Sequence, residues 1–366
     1  MKRLATRQVN SREEPAASAA GHLLPRSFWP STCRLLTGEA WHAIGATGAA
    51  VLVDRCSSHG LLPLLFAQPQ PPLAVGRALE AARGWERILR LRARWFREAT
   101  TAVCDALAGE PLMLIKGADY AQRLYPSPVL RPMQDIDLLV PAGRIDAVCD
   151  RLLAAGLTRQ PAFGEARDAA HHERVFFHGR ILVEVHQAFI QRARHRIDYE
   201  GVWRRAVPFE VEGRQVLRLD NVDALLYHAL SMGIDQFNAR LVRYVDLWLL
   251  LAGGPDIAAA AAARARDWRT ARALYGALSL ACRLCPEFAT SDVRSAMDLA
   301  LPAATRRFLE RWVLPGAAEV GQSVPPHRGA QLWRKACLMD STGHALAFAL
   351  SHAAATWRHR AAAAKL

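Results

Sequence analysis

A chain of 366 residues with 51% hydrophobic and 22% charged side chains can bury a sizeable core under a solvated exterior, which excludes wholesale disorder. The formal net charge of +13 invites a nucleic-acid partner, yet the basic residues are nearly all arginine and are spread among abundant alanine from end to end. That distribution favours a compositional bias over a dedicated phosphate-binding face.

The first segment, residues 1–34, has a basic start but no continuous apolar stretch, so it reads as a disordered tail and not as a signal peptide. Residues 35–109 form an N-terminal helical region, interrupted by "PQPP" and closed by the amphipathic stretch "LAVGRALEAARGWERILRLRARWFREATTAVCDALAG". Gly109 ends that helix and Pro111 prevents its resumption. From residue 110 to 219 the texture changes to short apolar runs. Strands are expected at 112–116, 135–140, 174–178, 181–187 and 214–219, and helices at 117–124 and 142–155. The turn "HGR" at 178–180 makes the third and fourth strands a hairpin. Beyond residue 220 the strands disappear, and a helical domain is expected over 220–366, opened by Asp220 as an N-cap. The fold class is therefore α+β: a small mixed β-sheet flanked by N-terminal helices and a C-terminal helical bundle. Seven irregularly spaced cysteines point to a reducing compartment, and no window offers roughly 18 uncharged apolar residues. A soluble cytoplasmic protein with no membrane partner is the expectation.

Within the 110–219 unit, Lys116 closes an apolar run in a chain whose other lysines are Lys2, Lys335 and Lys365. Asp135 and Asp137 stand two apart at the mouth of another apolar run. In a strand, i and i+2 point to one side about 6–7 Å apart, so the carboxylates would converge while Ile136 and Leu138 face the other way. Two such acids repel unless something positive sits between them. Mg²⁺ suits the pair, since it takes oxygen ligands and bridges carboxylates to substrate phosphates. Glu184, an acid inside "ILVEVHQ", supplies a third carboxylate, and His186 shares its face. A lone Asp-x-Asp is equally at home as a solvated strand edge or a capping turn, so the combination carries the argument. Weaker candidates are His171 and His172 in a loop, Arg240 on a helix, Arg243 with Asp246 as a helix-surface pair, and Cys282 with Cys285, whose spacing fits packing better than zinc.

The segments "LIKGADYAQRLYP", "RPMQDIDLLV", "AAGL", "VEVHQAF", "VDALLYHAL" and "RLVRYVDLWLLL", in this order over roughly residues 55–255, resemble the nucleotidyltransferase superfamily of the polymerase-β type. The likeness is to the bacterial family described as uncharacterised nucleotidyltransferase in particular. It implies a turn at Lys116, Gly117 and Ala118 whose backbone N–H groups hold nucleotide phosphates. It further implies that Asp135, Asp137 and Glu184 are catalytic and bind Mg²⁺. Arg131 and Lys116 stand where they can reach phosphate, and His186 where it can touch the substrate. Gly117-Ala118 replaces the Gly-Ser or Gly-Gly common in the superfamily, so a hydroxyl contact is missing. The implied reaction moves a nucleoside monophosphate, AMP by preference, from an NTP such as ATP to an unidentified acceptor, with a peptide or a sugar as candidates. The alternatives are an inactive nucleotide-binding or partner protein, and an enzyme adding nucleotides to RNA ends.

Overall fold

The computed structural model describes residues 23–160, 173–190, 195–315, 328–341, 343 and 345–346; His171 and His172 lie outside them. Helix α1 (Phe28–Thr37) begins inside the stretch read as a tail, because Phe28, Trp29 and Cys33 are buried in the main core. Helices α2 (Ala46–Ser58), α3 (Leu62–Phe66), α4 (Leu73–Ala81) and α5 (Arg83–Ala106) follow. The amphipathic stretch read as one piece is thus two helices, broken at Ala82. Gly109 then takes φ 83° and turns the chain into the sheet.

Strand β1 (Met113–Ile115) is followed without a loop by α6 (Lys116–Arg123), then by β2 (Asp135–Leu139) and α7 (Ile145–Ala154). β3 (Thr158–Arg159), β4 (Glu173–His178) and β5 (Ile181–His186) complete one side of the sheet. After α8 (Tyr199–Arg204), the pair β6 (Val207–Val211) and β7 (Arg214–Arg218) completes the other, giving the order β3-β4-β5-β2-β1-β7-β6. The sheet is mixed: β2 runs parallel to β5 and β1 parallel to β7, while β1 and β2 are antiparallel. β4 and β5 form the expected hairpin, with Gly179 at φ 58° in the turn. The short β3 and the edge strand β6 were not foreseen. Thr158 and Arg159 are exposed, and β6 carries Pro208, so neither offers the continuous apolar run that marks a strand.

Alternation along the strands divides the core into two layers. Leu114, Ile136, Leu138, Val183 and Val185 pack on one face with Phe96 and Val103 of α5 and Val148 and Leu152 of α7. Met113, Ile115 and Leu139 face the opposite layer, which is shared with the N-terminal helices and with α9 (Asn221–Ile234). Asp220 caps α9 by accepting from the Asp223 N–H at 2.6 Å. Helices α10 (Val242–Leu251), α11 (Ile257–Trp268), α12 (Ala271–Leu284), α13 (Ser291–Ala300), α14 (Ala303–Phe308) and α15 (Arg328–Cys337) follow. Cys285 is fully buried in this layer, against the hydroxyl of Ser27 at 3.1 Å. No helix among the described residues is long and apolar enough to cross a membrane.

Candidate active site

Because β2 and β5 are parallel, their register pairs Asp137 with Glu184 and Leu139 with His186, so these side chains share the sheet face that carries Asp135. Ile136 and Leu138 point into the opposite layer, as their alternation requires. Asp137 is 1% exposed and is met from two sides. The Lys116 ammonium lies 2.5 Å from its Oδ1, and His186 Nε2 lies 2.9 Å from the same oxygen. Burial alone would raise the Asp137 carboxyl, but Lys116 and His186 together hold it well below the usual carboxylate range. His186 Nε2 is also 3.4 Å from Glu184 Oε2, and its Nδ1 is 3.5 Å from Glu173 Oε2. Burial opposes a charge on the His186 ring, while its hydrogen bonds to Asp137 and Glu184 raise its pKa.

Asp135 sits one step nearer the start of β2 and has no ion-pair partner among the described residues. Burial, with the repulsion of Asp137 and Glu184, pushes its carboxyl up to about 6. Ligand atoms of Asp137, Glu184 and His186 lie within 4.8 Å of one another, a grouping that could hold a metal ion. The expected metal-binding set of Asp135, Asp137 and Glu184 is thus brought to one face. The closest grouping, however, has His186 in place of Asp135.

Lys116 reaches Asp137 because the chain turns sharply out of β1: its φ is 51°, in the left-handed region, and α6 starts at that residue. The strand expected to run through Lys116 therefore ends at Ile115. The Lys116 ammonium also stands 5.6 Å from the Tyr227 ring centre on α9. Gly117 is required next, since a Cβ there would stand 2.6 Å from Arg131 Nη1. Ala118 is buried under the helix, so its methyl faces the core.

Arg131 pairs with a buried acid. Its Nη2 donates to Asp246 Oδ2 at 2.6 Å and its Nε to Oδ1 at 3.3 Å, while the Tyr125 hydroxyl donates to Oδ1 at 2.8 Å. Asp246 is fully buried, so the expected helix-surface pair with Arg243 is not formed. Arg243 instead meets Asp235 at 2.6 Å, and its carbonyl accepts from His228 Nε2 at 2.8 Å. Burial lowers His228 to about 4 and leaves it neutral. Arg240 lies in the connection before α10, not on the helix.

A single cleft of about 490 Å³ opens beside these groups, and Glu184, Ala118 and Asp246 lie behind its lining. Lys116, Gly117, Asp135, Asp137 and His186 form the sheet side. Tyr227, His228, Arg240 and Arg243 form the helical side, with Arg131 between them. Tyr227 and His228 were part of a matching segment, but nothing in "LLYHAL" distinguishes them from packed helix residues. The arrangement presents carboxylates for a cation beside guanidinium and ammonium groups for an anion, in one partly enclosed space.

An acidic pair backed by a third carboxylate on the parallel neighbour, with a strand-to-helix turn beside it, is an arrangement that suits phosphoryl transfer. The model of the uncharacterised nucleotidyltransferase family matches residues 46–286, and the chain belongs to that family. It is a nucleotidyltransferase with an α+β fold. Among solved structures, an antigenic nucleotidyltransferase-like protein from Paracoccidioides brasiliensis is similar at 17% identity and a TM-score of 0.33, covering 60% of this chain and 94% of the other. No curated protein matches the chain.

Proposed function

We propose that this protein is a metal-dependent enzyme of the polymerase-β type that transfers a nucleoside monophosphate, AMP in the first instance, from an NTP to an acceptor hydroxyl or amine. The observation that carries this reading is the convergence of Asp135, Asp137 and Glu184 on one sheet face beside the Lys116-Gly117 turn. The closest donor grouping is Asp137, Glu184 and His186, and the proposed Mg²⁺ set of Asp135, Asp137 and Glu184 draws its third carboxylate from the same sheet face. When bound, the metal would neutralise charge on the triphosphate and on the attacking oxygen.

The chain's own groups do the rest. Lys116 and Arg131 flank the turn that receives the phosphates, and the backbone of α6 begins there. Glu184 takes the proton of the acceptor as its oxygen or nitrogen bonds to the α-phosphorus. The bond from that phosphorus to the α–β bridging oxygen breaks, and pyrophosphate leaves. His186, hydrogen-bonded between Asp137 and Glu184, fixes both carboxylates. Tyr227, Phe189 and Ile190 give the cleft an apolar side against which a base or an acceptor can pack. A peptide or a sugar is the proposed acceptor class, and the cytoplasm the proposed location.

The test is pyrophosphate release from each of the four NTPs with Mg²⁺ and a panel of hydroxyl and amine acceptors. Release by the wild type and its loss in Glu184→Gln are expected. Release of inorganic phosphate in place of pyrophosphate, or an unaffected Glu184→Gln, would overturn the reading.

A further inference from the structure

Three of the four cationic side chains in the cleft meet a carboxylate: Lys116 meets Asp137, Arg131 meets Asp246 and Arg243 meets Asp235. Arg240 does not. Among the described residues no acid pairs with it, and its Nε donates instead to the Ser58 carbonyl at 2.9 Å. The space it occupies depends on Gly60, at φ +73°, where a Cβ would stand 3.0 Å from Arg240 Nη2. Burial and the nearby guanidiniums of Arg131 and Arg92 work against its charge, offset only in part by the more distant Asp135 carboxylate. Arg92 is likewise bonded to a main-chain carbonyl, that of Met133 at 3.3 Å, and to no acid among the described residues.

A guanidinium half-enclosed beside two others, without an ion pair of its own, is favoured further when an anion arrives. Asp135 presents a matching deficit in the same cleft: it forms no ion pair among the described residues, and Lys116, Arg131 and Arg240 act on it only from a distance. One ligand answers both deficits if it carries a metal cation and a polyanionic tail. Arg131, tied to Asp246 and close against Gly117, lines the same cleft as Arg240, so the two guanidiniums can share that tail.

We infer that Arg240, backed by Arg92, forms an anion subsite for the terminal phosphates of the nucleotide, and so for the pyrophosphate that leaves. The inference rests on the nucleotidyl-transfer reading above, but the subsite itself is defined by phosphate chemistry alone. Arg240 is a positioning residue for the tail and touches neither the acceptor nor the α-phosphate.

Calorimetric titration of the full chain with Mg²⁺ and, in turn, inorganic tripolyphosphate, ATP and AMP tests it. The variants are Arg240→Ala, Arg240→Lys and, as a charge control on the exposed side of α5, Arg87→Ala. Arg240→Ala should weaken tripolyphosphate and ATP by about tenfold or more, as the loss of a charge-assisted contact does, and leave AMP within about twofold. Arg240→Lys should recover part of the loss, Arg87→Ala should change nothing, and tripolyphosphate should compete with ATP. An equal loss for AMP and ATP, or unchanged tripolyphosphate binding in Arg240→Ala, overturns the subsite. Simultaneous binding of tripolyphosphate and ATP also overturns it, because the anion would then belong to the acceptor. If the wild type binds tripolyphosphate through Arg240 but no NTP, the subsite stands and the nucleotidyl-transfer reading falls. If NTP binds and Arg240→Ala is silent, the reverse holds.

Discussion

Asp135 and Asp137 differ by two positions and have opposite electrostatic fates. Asp137 is satisfied by Lys116 and His186, so the chain's own side chains already stabilise its charge. For Asp135, burial and the repulsion of Asp137 and Glu184 outweigh the more distant Lys116 and Arg131, and its pKa of about 6 in the folded chain lies above the ordinary 3.8. Between those values the folded state binds more protons than the unfolded one, so this residue lowers stability as pH rises from about 4 to about 6, and the full penalty applies at pH 7. Asp135→Asn should therefore be more stable than the wild type at pH 7 in metal-free buffer, by about 3 kcal/mol, with the difference vanishing below about pH 4. Urea denaturation at a series of pH values measures this. A variant less stable than the wild type at pH 7 would show that Asp135 has a partner in solution.

The elements around the cleft are locked by one buried knot. Tyr125, in the connection after α6, and Arg131, in the connection before β2, both bond to Asp246 on α10. The sheet unit and the C-terminal helices are thereby held at the cleft by the same acid. Asp246→Ala should cost about 3–5 kcal/mol, because it leaves the Arg131 guanidinium buried and unpaired. The double variant Arg131→Met with Asp246→Leu should recover most of that loss; chemical denaturation of the three proteins decides it, and a cost below about 1 kcal/mol for Asp246→Ala would contradict the account. The knot was not legible in the sequence. Arg243 and Asp246 are three apart on a helix, the spacing of a surface pair, and only the packing of α10 against the sheet turns Asp246 inward. The Asp135 and Asp137 pair, by contrast, was legible because strand periodicity alone places both on one face, and Glu184 followed from its place in an apolar strand. The strand of Lys116 was misjudged by one residue for a local reason: an apolar run gives no sign that its last member takes a left-handed φ.

At the scale of the molecule, the face of the sheet that carries the acids is also the face that packs on the C-terminal helices. Met113, Ile115 and Leu139 share one core layer with Phe28 of α1, Leu52 of α2, and Leu225 and Tyr227 of α9. The cleft is thus the gap left where that packing is incomplete, with its acids supplied by the sheet and its free guanidinium by the chain leading into α10. The central claim is that this gap receives a metal-bound nucleoside triphosphate. Melting temperature with each NTP, with and without Mg²⁺, tests it most directly, and Asp135→Asn is the comparison of choice because Asp135 holds no other side chain in place. A ligand at 100 times its dissociation constant stabilises the folded state by about 2.7 kcal/mol, a shift of a few degrees for a chain of this size. The account predicts such a shift for the wild type, dependent on Mg²⁺ and absent in Asp135→Asn. No shift with any NTP, or an equal shift in the variant, would contradict it.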